Sequence, residues 1–540
     1  MQIFDHKKPE TVEQTLDTAK KSITNGCDVI YDILRTVLGP NGALKLMSNE
    51  TNANHLLTND GATILKNLVI DSPSAQILIN SSISQDKEEG DGTTSVALLA
   101  AILVRKAMQL NIHSVKIVSG FEMAVNRCVE ILDLLKYEDS LHNLAKTTLC
   151  SKILNCDLDH FANICVQAIG KSSDISCINI IKTGGKLEES FFVEDGFILD
   201  CDVEIPEPIK NPRIMVANTQ MDQDKVKIYG AKIDVQSVKE LWEIEDAEKQ
   251  RMKDKVDSIC FNTGYMSEEM QKSESKESLN EANETAKSTE TSEKLKKPFF
   301  DIFLNRQIMY DLPKHQFKSN KVVPIELVNF EGVERLSKVL NATILSSFYS
   351  KTKDSDIGTC KEVSNIIVGD KRMVKFTGIS KGAGTIVICG SSKDVLDEAE
   401  RSIHDALCVL RNKYVVPGGG VVESVLANDL VKFASKVYSS ESSAILAFSE
   451  ALIELVAIIA QNCGLNSENI KAELRSKNNS VDCSFGIDVE KMGISDMKKI
   501  GIVESYSVKH RVLTSACEVA QMLIKCDGYV KSKPRERTRM

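Results

Sequence analysis

The residues best suited to chemistry stand in the stretch EEGDGTTSVALLAAILV, residues 88–104. Its glycines let the backbone approach a ligand closely, and the free amides at the start of the apolar helix that follows favour a phosphate group. Thr93, Thr94 and Ser95 add hydroxyl donors, and Asp91 offers the oxygen ligand that Mg²⁺ takes together with phosphate oxygens. The stretch therefore predicts a magnesium–phosphate site. The alternative is an ordinary helix start, in which Asp91 or Thr93 only satisfies free amides of the first turn.

Three other short motifs carry acidic or glycine residues that also have a plain structural interpretation. In TNDGAT, residues 58–63, Asp60 is suited to cap a helix, and in TVLGPNG Gly39 is suited to end one. In VVPGGG, Gly419 is suited to a loop. The chain contains neither a P-loop nor a GxGxxG dinucleotide motif, so those two kinds of phosphate site are excluded.

The spacing of apolar residues predicts the elements that must position these motifs. Helices are predicted at 15–37, 93–109, 115–137, 235–259 and about 393–412, short strands are predicted in 175–220 and 301–390, and the last 120 residues are predicted to be mainly helical. Residues 266–297 hold eight Glu, six Lys and nine Ser or Thr without an aromatic residue, which predicts a disordered insertion.

Composition is typical of a multi-domain globular protein. A chain of 540 residues is expected to form about two to four domains. The net charge of −9 argues against nucleic acid as the main partner, and the fifteen cysteines, which include no CxxC pair, are expected to be reduced and buried. The longest apolar run, Val96–Val104, is too short to span a membrane, and the first residues do not resemble a secretory signal. We therefore expect a cytoplasmic location.

Six motifs follow one another in the order seen in a known family. They are TVLGPNG, LTNDGATILKNL, EEGDGTTSVALLA, ERSIHDALCVL, VVPGGGVVE and GIVESYSVKHRVLTSA. On these motifs the chain resembles the group II chaperonins over nearly its whole length, apart from 266–297 and the termini. Further stretches, such as FLNRQIMYDLP, are most similar to one subunit type of the eukaryotic cytosolic chaperonin.

The resemblance implies an ATPase and gives a role to each matching residue. Asp91 would bind Mg²⁺, and the catalytic residues Asp60 and Asp405 would orient and polarise the attacking water. The other matching residues would hold ATP or ADP: Gly39 against the nucleotide, Gly92, Thr93, Thr94 and Ser95 at the phosphates, and Gly419, Glu504 and Lys509 at the adenosine side.

The resemblance also implies a multi-domain chaperonin fold. A mainly α-helical equatorial domain would comprise 1–142 and 404–540, an α/β intermediate domain 143–212 and 365–403, and an α/β apical domain 213–364, with the disordered insertion at 263–297. The charged helix 235–259 would be the helical protrusion, a built-in lid on which Leu241, Trp242 and Ile244 make apolar contacts.

The implied partners are other chaperonin subunits and unfolded clients. Paralogous subunits would form two stacked eight-membered rings that enclose non-native polypeptides such as actin and tubulin, with no nucleic acid and no membrane. Two other classes stay open: an ATP-dependent small-molecule enzyme such as a kinase, and a chaperonin-like scaffold that binds nucleotide with weak or no turnover.

Three features depart from the family pattern. Asn41 replaces a usual lysine, Glu89 replaces a usual valine, and the stretch between Leu410 and Pro417 is several residues shorter. The two substitutions remove a positive charge and add a negative one near the implied phosphate site, so we expect them to weaken nucleotide binding.

Overall fold

The two ends of the chain fold together, and the residues between them form a second compact unit. The computed structural model describes residues 12–14, 16–48, 55–171, 174–221, 237–263, 297–326, 330–348, 350–379, 382–480 and 482–531. Unit 1 comprises Met1–Ile169 and Ser391–Met540, and unit 2 comprises Gly170–Gly390. The predicted insertion lies outside the described residues over 264–296. The finer division into three domains stays a prediction.

The first segment of unit 1 is mainly helical, as its apolar periodicity predicts. Its helices are α1 (Leu16–Leu34), α2 (Gly61–Lys66), α3 (Pro73–Glu89), α4 (Thr93–Gln109), α5 (Ser114–Leu135), α6 (Leu141–Cys150) and α7 (Leu158–Lys171), and its strands are β1 (Val12–Gln14), β2 (Lys45–Ser48), β3 (His55–Thr58) and β4 (Tyr137–Glu138). Each residue from Val96 to Val104 of α4 is at most 2% exposed. Because α4 is apolar on every side, it forms the centre of this unit.

Unit 2 combines short strands with three described helices. In chain order the elements are β5 (Ile178–Gly184), β6 (Phe191–Val193), β7 (Phe197–Leu199), β8 (Ile209–Lys210), β9 (Arg213–Ala217), α8 (Val238–Cys260), β10 (Ile302–Asn305), α9 (Asp311–Ser319), β11 (Val323–Ile325), α10 (Phe330–Leu340), β12 (Ile344–Leu345), β13 (Gly358–Thr359), β14 (Glu362–Val368), β15 (Lys371–Thr377) and β16 (Gly384–Gly390). The described strands form three sheets with the orders β11-β10-β9-β12, β7-β15-β14-β8 and β5-β16-β6, and β13 adds to β9.

The sheet around β9 is buried on both faces. Ile214 and Val216 point into one apolar core, whereas Met215 points into another that contains the stacked rings of Phe303 and Phe317, 4.6 Å apart. The second half of α8 packs into this second core through Met252, Val256, Ile259 and Cys260. The first half of α8 is exposed, including Leu241, Trp242 and Ile244.

The last segment returns to unit 1. Its helices are α11 (Lys393–Val409), α12 (Val421–Ala434), α13 (Glu441–Asn462), α14 (Ser467–Lys477), α15 (Met497–Ile500) and α16 (Tyr506–Lys525), and its strands are β17 (Tyr414–Pro417), β18 (Phe485–Asp488), β19 (Gly493–Asp496), β20 (Val503–Ser505) and β21 (Tyr529–Lys531). Strand β17 pairs with both β4 and β20, and β21 pairs with β1. Helices α13 and α16 pack on α4, so both chain segments share one core.

One described helix is long and apolar enough to cross a membrane by length and composition. This helix is α13, and 72% of its most apolar window is buried inside the unit. Its neighbours are α4, α5, α12 and α14. Because its apolar side chains already have protein partners, we interpret α13 as a core helix.

Candidate functional site

Asp60 caps a helix and also faces a second one. It precedes α2, where Oδ2 accepts the Thr63 amide at 2.9 Å, so the capping interpretation is correct. Its other oxygen, Oδ1, accepts the Thr93 hydroxyl at 3.1 Å, which ties it to the start of α4. Burial alone would raise the pKa of Asp60, but the Lys152 charge and the hydrogen bonds from Thr63 and Thr93 hold that pKa below its usual value. Asp60 is therefore a buried carboxylate that stays ionised.

The loop before α4 is shaped by two glycines in left-handed conformation. Gly90 has φ 72° and Gly92 has φ 77°. A Cβ on Gly92 would lie 2.9 Å from side-chain carbons of Val508 and Val512 in α16, so a larger residue does not fit. Between the two glycines, Asp91 Oδ1 accepts the Gly92 amide at 2.7 Å. The loop thus presents a carboxylate beside the positive end of α4.

Thr93, Thr94 and Ser95 form the first turn of α4, which has no side-chain cap. The first amides of a helix lack intrahelical partners and suit an anion. Gly61 allows α2 to approach this turn closely, because a Cβ there would lie 2.9 Å from the Thr94 nitrogen. The free amides of the first turn of α4 can therefore receive phosphate oxygens, whereas the first turn of α2 is already capped by Asp60.

Asp405, from the last segment of the chain, lies near Asp60 and Asp91. It lies in α11, and its Oδ2 is 2.9 Å from Lys152 Nζ. Burial raises the pKa of Asp405, and the Lys152 charge opposes that shift. Burial alone would lower the pKa of Lys152, but the charges of Asp405, Asp60 and Asp91, in that order, raise it well above its usual value. The three predicted carboxylates thus share one buried ammonium.

Two more titratable groups border this cluster. Burial and the charges of Asp60 and Asp405 raise the pKa of Asp86, in α3, to about 6. The neighbouring Asp405 carboxylate, whose Oδ1 lies 3.9 Å from His404 Nδ1, and the contact with Cys408 raise the pKa of His404 to about 10. We name Asp60, Asp86, Asp91, Asp405, Lys152 and His404 the carboxylate cluster.

A second charged group surrounds Lys509. Its Nζ lies 2.5 Å from Glu423 Oε1 in α12 and 2.6 Å from Glu504 Oε2 in β20. Burial raises the pKa of Glu504, as do the charges of Glu423 and, to a lesser extent, Asp91, so this group lies near the carboxylate cluster. The carboxylates of Glu423 and Glu504 raise the pKa of Lys509 well above its usual value, so the ammonium stays charged.

Gly419 belongs to the loop that leads into α12. It has φ 67°, its carbonyl accepts the Ile487 amide at 2.9 Å, and a Cβ there would lie 2.9 Å from Met497 Sδ. The preceding Gly418 lies against Glu504, 3.1 Å from Oε1 to a built Cβ. The loop is therefore an ordered turn beside the Lys509 group.

Gly39 does not cap α1, which ends at Leu34. It stands in a later turn with φ 98°, where its carbonyl accepts the Gly42 amide at 3.1 Å. The atoms nearest to a Cβ built there all belong to Ile459 of α13. Among the described residues, these contacts do not join Gly39 to either charged group.

The donor set fits a magnesium–nucleotide complex better than a free metal ion. Across the described ranges, no group of three or more His, Cys, Asp or Glu forms a metal cage. Mg²⁺ commonly takes one or two carboxylates and completes its shell with phosphate oxygens and water. Asp91 supplies such a carboxylate beside the first turn of α4, where the phosphates would lie.

Comparison with known proteins decides the family. The model of the TCP-1/cpn60 chaperonin family matches residues 30–534. The chain belongs to the TCP-1/cpn60 chaperonin family. The resemblance found in the sequence is thereby confirmed.

Three curated relatives of the chain carry the same subunit name. T-complex protein 1 subunit beta of Encephalitozoon cuniculi (strain GB-M1) is 47% identical over 550 residues, with 100% of both chains covered. The proteins of the same name are 38% identical in Arabidopsis thaliana, with 98% of each chain covered, and 36% identical in Homo sapiens, with 97% of this chain and 96% of the relative covered. The chain is a chaperonin subunit, and its likeness to the beta subunit of the eukaryotic cytosolic chaperonin, TRiC/CCT, is confirmed.

Sequence reasoning missed four charged residues of this chaperonin subunit. Asp86 and Lys152 stand outside the six family motifs, whereas His404 and Glu423 stand within two of them but received no role. Two signals were available: His404 is adjacent to Asp405 in ERSIHDALCVL, and Glu423 ends the quoted motif VVPGGGVVE. Lys152 has no such local signal, because its role depends on a residue 253 positions away.

Proposed function

We propose that this chaperonin subunit hydrolyses ATP in a hetero-oligomeric double ring that encloses and folds non-native proteins in the cytoplasm. The observation that carries the proposal is that Asp60 and Asp91 lie at the start of α4, where they bond Thr93 and Gly92, and that Asp405 pairs with Lys152, whose charge also interacts with both. Residues from both ends of the chain would have to meet in this way around one triphosphate. Paralogous subunits in eight-membered rings, and clients such as actin and tubulin, follow from the family likeness.

The described side chains divide the work of phosphoryl transfer. Asp91 would hold Mg²⁺, which neutralises phosphate charge when bound. Gly92, Thr93, Thr94 and Ser95 would bind the phosphates through the first turn of α4.

The attacking water would lie between Asp60 and Asp405. Asp60 is fixed by Thr63 and Thr93, and Asp405 is fixed by Lys152. A fixed pair of carboxylates can orient the water and accept its proton, which suits a reaction whose catalysis is mostly positioning. The Lys152 charge would favour the ionised form of Asp405 for this task.

The adenosine side would face the Lys509 group. Glu504, Lys509 and the loop at Gly419 lie together, and the charge of Asp91 reaches Glu504. Gly39 is included here on family likeness alone. The equatorial, intermediate and apical division likewise belongs to the proposal, with the exposed first half of α8 as the protrusion.

Isolation of the intact particle tests the proposal. The full-length chain, carrying an affinity tag, is isolated from its own cells and examined by electron microscopy and mass spectrometry. We expect a double ring that contains this chain together with sequence-distinct subunits, and magnesium-dependent release of phosphate from ATP that Asp405→Asn in this subunit lowers.

Three results would contradict the proposal in different ways. A stable monomer of 59.6 kDa that phosphorylates a small molecule would indicate the kinase class. A ring whose ATP hydrolysis does not change with Asp405→Asn, measured with the other subunits inactivated, would indicate the scaffold class with weak or no turnover. A particle made only of identical copies would contradict the hetero-oligomer.

A further inference from the structure

Glu89, the last residue of α3, places its carboxylate at the start of another helix. Ser507 Oγ donates a hydrogen bond to Glu89 Oε2 at 2.7 Å, and Ser507 is the second residue of α16. A carboxylate is unfavourable at the C-terminus of its own helix and favourable at the N-terminus of another. The position of Glu89 is therefore explained by α16 rather than by α3.

The same serine also binds the connection that follows α11. Asn412 Nδ2 donates to Ser507 Oγ at 2.6 Å, and Asn412 lies between α11 and β17. A hydroxyl has one proton to give and two lone pairs to accept with, so Ser507 can donate to Glu89 while it accepts from Asn412. Ser505 Oγ, 3.0 Å away, then donates to the second lone pair of Ser507 Oγ.

This chain of hydrogen bonds, Glu89–Ser507–Asn412, joins the three elements that enclose the loop at Asp91. Helix α11 touches the loop from one side, since a Cβ on Gly90 would lie 2.7 Å from Cys408 Cβ. Helix α16 touches it from the other, through Val508 and Val512 at Gly92. Glu89 directly precedes Gly90, the first residue of the loop. The hydrogen-bond chain therefore fixes these elements next to the loop.

We propose that Glu89 is a positioning residue for Asp91, which acts through Ser507 and Asn412 and sets the affinity of the site for Mg²⁺. The inference rests on the proposed function, because it assigns Mg²⁺ to Asp91. It differs from the expectation that the negative charge of Glu89 weakens nucleotide binding. In this chain the Glu89 carboxylate is hydrogen-bonded to Ser507 of α16. Asn412, in the shortened connection at 410–417, bonds the same serine.

Magnesium titrations at fixed ADP test the inference on the full-length chain. Affinity for ADP is measured with Mg²⁺ and again in EDTA. Ser507→Ala and Glu89→Val should each lower the apparent Mg²⁺ affinity about three- to tenfold, the range that fits the loss of one partly buried hydrogen bond. Affinity for ADP in EDTA should not change, which a general loss of structure would not permit.

Two further variants separate the hydrogen bond from the charge. Glu89→Gln keeps an acceptor oxygen for Ser507 and should retain Mg²⁺ affinity near that of the unaltered chain. Glu88→Gln removes a charge of the same sign from the neighbouring residue, which pairs instead with Arg511 on α16, and should also have little effect. Thermal unfolding of each variant checks the fold. Glu89→Val introduces the residue that is usual in the family at this position.

The possible outcomes are distinct. Tighter Mg²⁺ binding in both Glu89→Gln and Glu89→Val would indicate charge repulsion and overturn the positioning role. Unchanged Mg²⁺ affinity in Glu89→Val or in Ser507→Ala would overturn it as well. If the unaltered chain binds ADP without any dependence on Mg²⁺, the proposed function fails and this inference fails with it. Tight magnesium-dependent binding in every variant would leave the proposed function standing and overturn only the role of Glu89.

Discussion

Lys152 Nζ and Asp405 Oδ2 form a buried ion pair 2.9 Å long across 253 positions of sequence. The two side chains are only 9% and 6% exposed. A buried pair of this kind loses hydration on both partners, so each charge depends strongly on the other. Because Asp60 and Asp91 also interact with Lys152, one ammonium balances several carboxylates.

Replacement of Lys152 should therefore destabilise unit 1. Lys152→Met leaves Asp405 and Asp60 buried without their cation, and loss of one partner of a buried pair typically costs about 3–5 kcal/mol. Hydrogen exchange of the buried amides of α4 measures the free energy of unfolding. The matched control is Lys146→Met in α6, whose partner Asp159 is exposed, so its loss should destabilise the unit much less. Equal costs for the two variants would contradict the shared-ammonium interpretation.

Asp405 and Asp91 should differ in which step they affect. Asp405→Asn should lower single-turnover ATP hydrolysis by about 10²- to 10⁴-fold, the usual contribution of a positioned acid or base, and should change nucleotide affinity little. Asp91→Asn should weaken binding of Mg²⁺–nucleotide as well as hydrolysis, because it removes the proposed metal ligand. Rapid-quench hydrolysis and equilibrium binding measure the two effects. An equal loss of nucleotide affinity in both variants would show that the two roles are not divided.

Asp86 should make unit 1 less stable as pH rises from about 4 to 6. Its pKa is raised from 3.8 to about 6 in the native state, so over this range the native state binds more protons than the unfolded state. The stabilisation is complete below the unfolded pKa and is lost as pH rises through the native pKa. Asp86→Asn should therefore raise the unfolding temperature at pH 7.5, and the gain should vanish by pH 4. Asp71→Asn, which removes an exposed carboxylate of the same unit, serves as the control for net charge.

Gly92 should tolerate no side chain. Gly92→Ala places a Cβ at φ 77° and 2.9 Å from Val508 and Val512, so the left-handed conformation alone costs about 1–2 kcal/mol and the contact adds to it. Hydrogen exchange of α4 and Mg²⁺–ADP binding should both weaken. In Gly493→Ala the nearest atom is 3.8 Å away and φ is not positive, so that variant should behave like the unaltered chain. If the two variants have similar stability, α16 does not confine the loop as described.

Helix positions could be predicted from sequence where the pattern is strong and local. The prediction of 93–109 agrees with α4, Thr93–Gln109, because a glycine precedes its long apolar run. The predicted helix 15–37 ends earlier, at Leu34, and the Val37 amide bonds the Leu34 carbonyl in a tight turn. The predicted 393–412 likewise ends at Val409, where the Asn412 amide closes a similar turn. Apolar spacing does not distinguish the last helical turn from the tighter turn that follows it.

The sequence could predict only those site residues that stand in short motifs. Asp60, Asp91 and Asp405 stand beside glycines or in quoted family motifs, and the structure brings them to one ammonium. Lys152 could not be predicted, because nothing in its neighbours along the chain indicates a partner in α11. The same holds for Glu89: its charge was visible in the sequence, but its hydrogen bond to Ser507 joins residues 418 positions apart.

The exposed first half of α8 provides an optical reporter of its surroundings. Trp242 is the only tryptophan in the chain and is 64% exposed. Indole fluorescence shifts to shorter wavelength when water leaves the ring, so the emission spectrum of this subunit alone reports one place on one helix. If a neighbouring chain or a client covers that helix, the emission maximum of Trp242 should shift to shorter wavelength, and no added label is needed to detect it.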